Sequence, residues 1–342
     1  MTRREGSRVL VLGAGVAGLS CARALADAGR PVEVLERARG VGGRCATRRV
    51  EGQPVDFGVA FLHGRDPGFL AALAEVPARR LDGWPVAMLG AGRPCQPEAF
   101  TPGESRLAFA EGISAFPRHL AAGLPVTLRA NAVAVEPEGA ALRVRLEGGG
   151  AAEAPVVVLA LAAEQAHELL GTVPGPPPAV ASARALLDQA RSQACLALIA
   201  VYPPEAQPPA WHCCYPDGSR VLQLAVHDSS KRAAPDATVL VLQAHPRWSR
   251  EHLDDPAWPE RLLEEGGRVV GPWAARPRHQ EPHSWRHARH DRSAELAAPL
   301  LLGLPGGARL GLCGDRFAPG GGVEAAWRSG RALAHRILQE VP

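Results

Sequence analysis

Lysine is almost missing from this sequence. Of 38 basic residues all but Lys231 are arginine, and 35 acidic residues leave a formal net charge of +3. A charge that small and dispersed excludes a dedicated nucleic-acid surface or an anionic membrane as partner. The arginine bias, with abundant Ala, Gly and Pro, reads as codon bias rather than chemistry. Apolar runs long enough to span a bilayer are missing as well. The seven cysteines, at 21, 45, 95, 195, 213, 214 and 313, contain no CxxC pair and are odd in number. That argues against a disulfide framework and for free thiols in a reducing compartment. The start "MTRREGSRVLVLGAGVAGL" has the basic-then-apolar order of a secretory leader, but cleavage there would destroy a glycine loop, so a cytoplasmic location is expected. There is no internal repeat and no recognisable Ser-His-Asp or paired-carboxylate constellation. No metal site is expected either. His279, His283, His287 and His290 crowd together, with Cys213 and Cys214 as possible thiolates, but Pro277 and Pro282 argue against one helix through them.

Two glycine clusters lie close together near the start. Residues 9–12 form an apolar run typical of a parallel strand buried on both faces. Small and apolar residues at 16–28, stopped by Gly29, read as a helix, and residues 32–35 read as a second strand. Gly13-x-Gly15-x-x-Gly18 falls at the strand-to-helix turn of this β-α-β unit. Gly13 would allow the tight turn, Gly15 the approach of a pyrophosphate, and Gly18 the packing of helix on strand. The helix N-terminus would face the phosphate charge. Glu36 closes the second strand, where a carboxylate binds ribose hydroxyls. A bare glycine turn without a ligand would leave Glu36 without a role. In "GVGGR", the amides of Gly42 and Gly43 and the guanidinium of Arg44 would offer a pyrophosphate a second set of donors.

Nucleotide-domain grammar returns twice. "APVVVLALAAEQAHELL" (154–170) and "ARLGLCGDRFAPGGGVEAAWRSGRALAHRIL" (308–338) both read as strand, turn and helix. The intervening "LPVTLRANAVAVEPEGAALRVRLEGG" alternates like an antiparallel meander. Strand-like runs "CLALIAVY", "VLQLAVH" and "TVLVLQAH" surround a charged helical stretch between 185 and 285. The domains are therefore expected to be discontinuous.

Glu36-Arg37 followed by "GVGGR", the segment "DFGVAFLHG" (56–64) and the closing "CGDRFAPGGGVEAAWRSGRALA" together resemble the flavin amine oxidase superfamily. "GGRCATRR", "RDPGF", "EGISAFPRHLAAGLPV", "HDSSKR", "HPRWSREHL" and "HSWRHA" are most similar to its renalase branch of FAD-dependent oxidoreductases. The resemblance implies an α/β fold: a Rossmann-type FAD-binding domain with an inserted mixed-sheet α+β substrate domain, in an amine oxidase-like two-domain architecture. It places the FAD-binding parts at 1–75, 116–175 and 301–342, and the substrate parts at 76–115 and 176–300. It implies non-covalent FAD held by Gly13, Gly15, Ala17, Gly18, Glu36, Arg37, Gly42, Gly43, Arg44, Val133, Gly314, Asp315, Val323, Glu324 and Ala325. Gly314 and Asp315 would reach the ribityl chain. The amides of residues 323–325 would begin a helix aimed at the flavin N1/C2 edge, stabilising negative charge there.

The activity implied is hydride transfer from misreduced 2- or 6-dihydronicotinamides of NAD(P) to flavin N5, with O2 reoxidising the flavin to give hydrogen peroxide. The partners are thus a small-molecule donor and O2. Ala60 and Phe61 stand where renalases have a glutamine-aromatic pair, and His63-Gly64 is similar to polyamine oxidases. An amine oxidase, a dehydrogenase of another small metabolite and a non-catalytic flavin-binding protein are the alternatives. On a strand, His283, Trp285 and His287 share one face and Arg286 points oppositely. His283, Trp285, Arg286 and His63 are the candidates for the pocket beside the flavin. Trp285 would stack on a planar ring and Arg286 would meet a phosphate or carboxylate. Lys231, within "SSKRAAPD", is expected in a solvated loop, and Cys313 is expected to be an inert core thiol.

Acid precipitation of the purified yellow protein should release all its flavin into the supernatant. Flavin remaining in the pellet would show a covalent tether and overturn the reading of Cys313.

Overall fold

The structure is a computed structural model describing residues 8–90, 97–189, 192–203 and 208–341; Cys95 and the first seven residues lie outside these. The chain divides into two compact units. The first comprises residues 1–43, 116–192 and 290–342, and the second residues 44–115 and 193–289.

The first unit is built on a six-stranded sheet. Its order is Leu300–Gly303, Arg309–Leu312, Val156–Leu159, Val9–Leu12, Val32–Glu36, Val126–Leu128. All neighbours pair in parallel except the edge strand Leu300–Gly303, which is antiparallel. Valine and leucine fill successive positions of the central strands because both faces are covered. Leu10, Leu12, Val157, Leu159, Leu310 and Leu312 point to one face. There they pack with the meander residues Val135, Leu142 and Val144 and with the helices Ala163–Leu170 and Pro178–Asp188. Two further helices, Val16–Asp27 and Gly322–Glu340, pack side by side. A Cβ at Gly330 would sit 2.1 Å from Ala17 O and 2.3 Å from Ser20 Oγ, so only glycine permits that approach. Ser20 Oγ donates to Trp327 O across the same contact at 3.0 Å.

The meander comprises Ala132–Glu138, Ala141–Leu146 and Ala151–Ala154, each antiparallel to the next. The run 126–128, expected within it, extends the parallel sheet beside Val32–Glu36 instead.

The second unit holds a six-stranded sheet ordered His279–His290, Ser192–Val201, Val239–Ala244, Leu222–His227, Cys213–Cys214, Met88–Leu89. Leu196, Leu198, Leu240 and Leu242 bury against Trp258, Leu262 and Leu263 of the helix Trp258–Val270. A hairpin, Thr47–Val50 with Gln53–Asp56, and a three-stranded sheet, Leu62–Gly64, Ser105–Phe109 and Arg80–Asp82, complete it.

Three expected boundaries move. Residues 44–75 belong to the second unit, where Asp56 at the end of the hairpin is tied to Lys231 and Asp228. Residues 176–192 belong to the first, because Val180, Ala183 and Leu187 join its core. Residues 290–300 do so as well, leading into its edge strand.

Lys231 is not solvated. Its side chain is fully buried, with Nζ 2.8 Å from Asp56 Oδ2 and 2.7 Å from Asp228 Oδ1, over the Trp84 ring at 4.7 Å. Arg232 Nη2 adds a 2.7 Å contact to Asp228 Oδ2. Thr47 Oγ1 and the amide of Ile113 donate to Asp56 Oδ1 at 2.6 and 2.8 Å. Burial alone would raise the Asp56 pKa, but Lys231 and Arg232 hold it below the usual carboxylate range. The hydroxyl-rich "DSSK" read as a loop because a turn and a buried charged turn look alike in sequence. Here it is a 3-10 turn, Asp228–Lys231, folded onto its partners.

Removing one partner of a buried ion network leaves uncompensated charge, at a cost of about 3–5 kcal/mol. Lys231→Met should therefore lower the urea midpoint by that equivalent. A loss below about 1 kcal/mol, the range of surface pairs, would contradict the buried network.

Candidate cofactor site and substrate-side residues

The strand Val9–Leu12 ends at Gly13, whose φ of 105° is in the region that favours glycine. A Cβ there would meet Ala160 O at 2.5 Å, and one at Gly18 would meet Gly13 O at 2.0 Å. These two glycines are therefore required by the protein's own backbone. Gly15 is different. Its φ of −75° suits any residue, and a Cβ on it would meet nothing within 4 Å. Local sterics do not demand glycine at the N-cap of the first helix, which is the pattern expected where a ligand approaches the backbone.

The second cluster folds onto the first. Gly42 N donates to Ala14 O at 2.8 Å, Gly15 and Gly42 form a parallel bridge, and Gly43, at φ 54°, lies against Gly15. Glu36 binds the loop from the other side, its carboxylate accepting from Ala14 N at 2.7 Å and Ala38 N at 2.8 Å. It is thus a structural acid of the glycine loop as well as the ribose candidate, since a carboxylate has further lone pairs to offer. Ala17 is buried in the first helix, Arg37 is exposed after the second strand, and Val133 is exposed on the meander. Arg44 begins the second unit, and its Nη1 donates to Ala288 O at 3.1 Å.

The C-terminal motif supplies a second helix start. No side chain caps the helix Gly322–Glu340 at Gly321, and Val323, Glu324 and Ala325 lie in its first turn. Gly314 N donates to Ser329 Oγ at 3.2 Å, which ties the preceding turn to this helix. Asp315 follows and faces His290, Nδ1 to Oδ2 at 3.2 Å, and the His290 Nε2 faces Glu295 Oε1 at 3.1 Å. No motif in the sequence marks Glu295, or His290 as its partner. Their separation from Asp315 in the chain hides the cluster. Cys313 is buried and its thiol pKa is pushed up to about 12 by burial; Cys21, also buried, is raised by burial and by Cys313. Neither supplies a reactive thiolate near neutrality.

The first unit thus carries two packed helices with uncapped N-termini, a loop of backbone amides and an acid at the adjoining strand end. These residues fit a dinucleotide such as FAD. Gly15 and Gly42 would take the pyrophosphate, Glu36 the ribose, and the start of Gly322–Glu340 the electron-rich end of the flavin.

The substrate-side candidates lie in the second unit. Over residues 279–286 of the strand His279–His290 the side chains alternate between half-buried and exposed, as the pleat requires, and residues 287–290 are all half-buried. Trp285 stacks on Phe57 with centroids 5.1 Å apart and donates Nε1–H to Phe57 O at 3.1 Å. One of its faces is therefore already occupied, contrary to the expected open platform. His283 meets both rings edge-on, at 4.9 Å from Phe57 and 4.3 Å from Trp285, with Arg48 Nη2 3.5 Å from its Nδ1. Burial, then Arg48, lowers the His283 pKa to about 4, so the ring is neutral near pH 7.

Arg286 points to the other face and pairs with exposed Asp254 at 3.0 Å, away from the Phe57–Trp285–His283 group. His63 faces Glu104 at 3.0 Å, and Arg65 binds the other oxygen of that carboxylate. His279 pairs with Glu281, so the crowded histidines take separate partners.

A family model, "Flavin containing amine oxidoreductase", matches residues 94–338, and an "NAD(P)-binding Rossmann-like domain" matches residues 11–76. The chain belongs to the flavin containing amine oxidoreductase family. Polyamine oxidase 4 of Oryza sativa subsp. japonica is 46% identical over 56 residues, 16% of this chain and 12% of that enzyme. A zeta-carotene-forming phytoene desaturase of Myxococcus xanthus is also 46% identical, over 54 residues, 16% of this chain and 10% of its own length. The matched stretches thus span about an eighth or less of either relative. Among solved structures, wild-type putrescine oxidase bound to putrescine aligns with a TM-score of 0.71 at 16% identity, covering 97% of this chain and 99% of that one. Cyclohexylamine oxidase from Brevibacterium oxydans IH-35A aligns with a TM-score of 0.70 at 15% identity, covering 98% and 99%.

These two likenesses establish the two-domain amine oxidase fold. Membership of the family assigns a flavin cofactor to the chain. No helix among the described residues is long and apolar enough to cross a membrane.

The glycines separate ligand binding from folding. Gly15→Ala should leave the urea midpoint within about 1 kcal/mol of wild type while the protein purifies with much less FAD. Gly18→Ala should cost about 1–3 kcal/mol through overpacking. Full FAD occupancy in Gly15→Ala would remove Gly15 from the cofactor site.

Proposed function

We propose that this protein is an FAD-dependent oxidase that takes hydride from a carbon bonded to nitrogen in a small molecule. The observation that carries it is the open backbone of Gly15 beneath Gly42, in a unit that also presents the uncapped start of Gly322–Glu340. Bound FAD would accept the hydride at N5 and pass both electrons to O2, giving hydrogen peroxide. The chain's own part is to hold the dinucleotide on oriented amides, and a helix N-terminus favours the negative charge of the reduced state. With its pKa lowered to about 4, His283 stays uncharged at neutral pH and this imidazole can accept a hydrogen bond there.

Renalase-like sequence stretches favour a 2- or 6-dihydronicotinamide of NAD(P) as donor. In both isomers the reduced carbon adjoins the ring nitrogen, whereas in ordinary 4-dihydronicotinamide it does not. An amine is the second reading, favoured by the family match and by the His63-Gly64 pair. Both donors share the same reacting fragment, a C–H bond next to nitrogen.

Anaerobic mixing with each donor, followed at the flavin absorbance band, tests the reading. The 2- and 6-dihydro isomers should bleach the flavin rapidly and 4-dihydroNAD slowly, with peroxide appearing on admission of air. Bleaching by putrescine or a monoamine but not by the dihydro isomers would transfer the assignment to amines. A fully FAD-loaded protein that no donor reduces would leave only a binding role.

A further inference from the structure

The imidazole of His290 is held between two carboxylates, 3.2 Å from Asp315 Oδ2 through Nδ1 and 3.1 Å from Glu295 Oε1 through Nε2. All three side chains are largely buried, with exposures of 10% for His290, 14% for Asp315 and 18% for Glu295. A neutral imidazole carries one N–H and one lone pair. In either tautomer a lone pair would face an ionised carboxylate oxygen at hydrogen-bond distance. The imidazolium alone donates to both.

The cluster also grips the glycine turn that opens the C-terminal helix. Glu295 Oε2 accepts from Gly320 N at 3.1 Å. At Gly321, whose φ is 62°, a Cβ would come within 3.2 Å of both Glu295 Oε1 and His290 Cε1. Asp315 lies directly after Gly314, whose amide is bound to Ser329 Oγ of the same helix. One ring therefore connects the "GD" turn, the acid Glu295 and the glycine turn at residues 320–322.

We propose that His290 is a positioning residue for the flavin end of the cofactor site: as a cation shared by Asp315 and Glu295, it fixes the turn at 320–322 and the first amides of the terminal helix in the conformation that receives FAD. The inference rests on the cofactor assignment made above. The acidic groups acting on the ring are Asp315, Glu295 and the adjacent Asp291. Burial would lower the His290 pKa, but Asp315 and then Glu295 raise it above the ordinary value. The bridge is therefore fully formed below pH about 6.5, the ordinary histidine value, and is lost as pH rises through the raised one. Deprotonation leaves one carboxylate without its donor and loosens the turn.

The test is release of FAD from the holoenzyme on dilution, read by the fluorescence of free flavin between pH 6 and pH 10, with thermal unfolding followed in parallel. The wild-type Kd for FAD should rise by about fivefold or more across that range, a typical coupling between sites. His290→Gln should show the weaker affinity already at pH 6 and no pH dependence. His290→Lys, which keeps a cation with several donors, should recover part of the affinity at pH 6. Glu295→Gln, which leaves the Asp315 contact in place, should shift the wild-type transition to lower pH. A flat wild-type profile, or a His290→Gln protein that unfolds earlier but binds FAD as tightly as wild type, would overturn the proposal. A wild-type protein that holds no FAD at any pH would overturn the cofactor assignment itself, and this inference with it.

Discussion

Close backbone approach governs the first unit. Gly18 lets the first helix sit against the turn at Gly13, and Gly330 lets the C-terminal helix sit against Ala17 and Ser20. Any side chain at either position would push a helix away by more than a rotamer change could absorb. With both contacts in place, two helices lie side by side and each begins without a side-chain cap. Neither N-cap residue, Gly15 or Gly321, supplies a side-chain hydrogen bond to its helix. The dinucleotide assignment depends on this arrangement, because phosphate and flavin charge are best met by oriented amides that need no reorganisation.

Buried charge organises both units, with different consequences. In the second unit the fully buried Lys231, Asp56 and Asp228 and the nearly buried Arg232 balance one another, joining the hairpin at Asp56 to the turn at Asp228–Lys231. Such a set gives little net stability over apolar packing but is costly to break, so it fixes one arrangement of its strands. In the first unit the balance is incomplete: one imidazole stands between two carboxylates beside an uncapped helix start. A histidine titrates within the physiological range as lysine and arginine do not. The first network is therefore permanent and the second conditional.

The aromatic group of the second unit shows how a strand uses its two faces. Trp285 and His283 lie on one side with Phe57 and Arg48, while Arg286 is delivered to solvent and Asp254. Arg48, over the Phe57 ring at 4.6 Å, keeps positive charge at this wall and helps to keep His283 neutral.

Local pattern determined much of this in advance. The β-α-β unit, the turn at Gly13, the closeness of helix and strand at Gly18, and the later strands all follow from glycine spacing and apolar runs, which are properties of neighbouring residues. The alternation along 279–286 was legible for the same reason. What adjacency does not encode was left to the tertiary structure. Lys231 looked solvated because only one of its carboxylates, Asp228, is near in sequence, while Asp56 lies 175 positions away in the chain. The run at 126–128 joined the parallel sheet because the edge beside Val32–Glu36 was open to it. Trp285 lost one free face to Phe57, 228 positions distant. His290 acquired its two carboxylates only when the turn at Asp315 folded back upon Glu295. Backbone conformation is set within a few residues, so sequence reveals it; the electrostatic partner of a buried charge is set by which surfaces the fold brings together, and only the folded chain decides that.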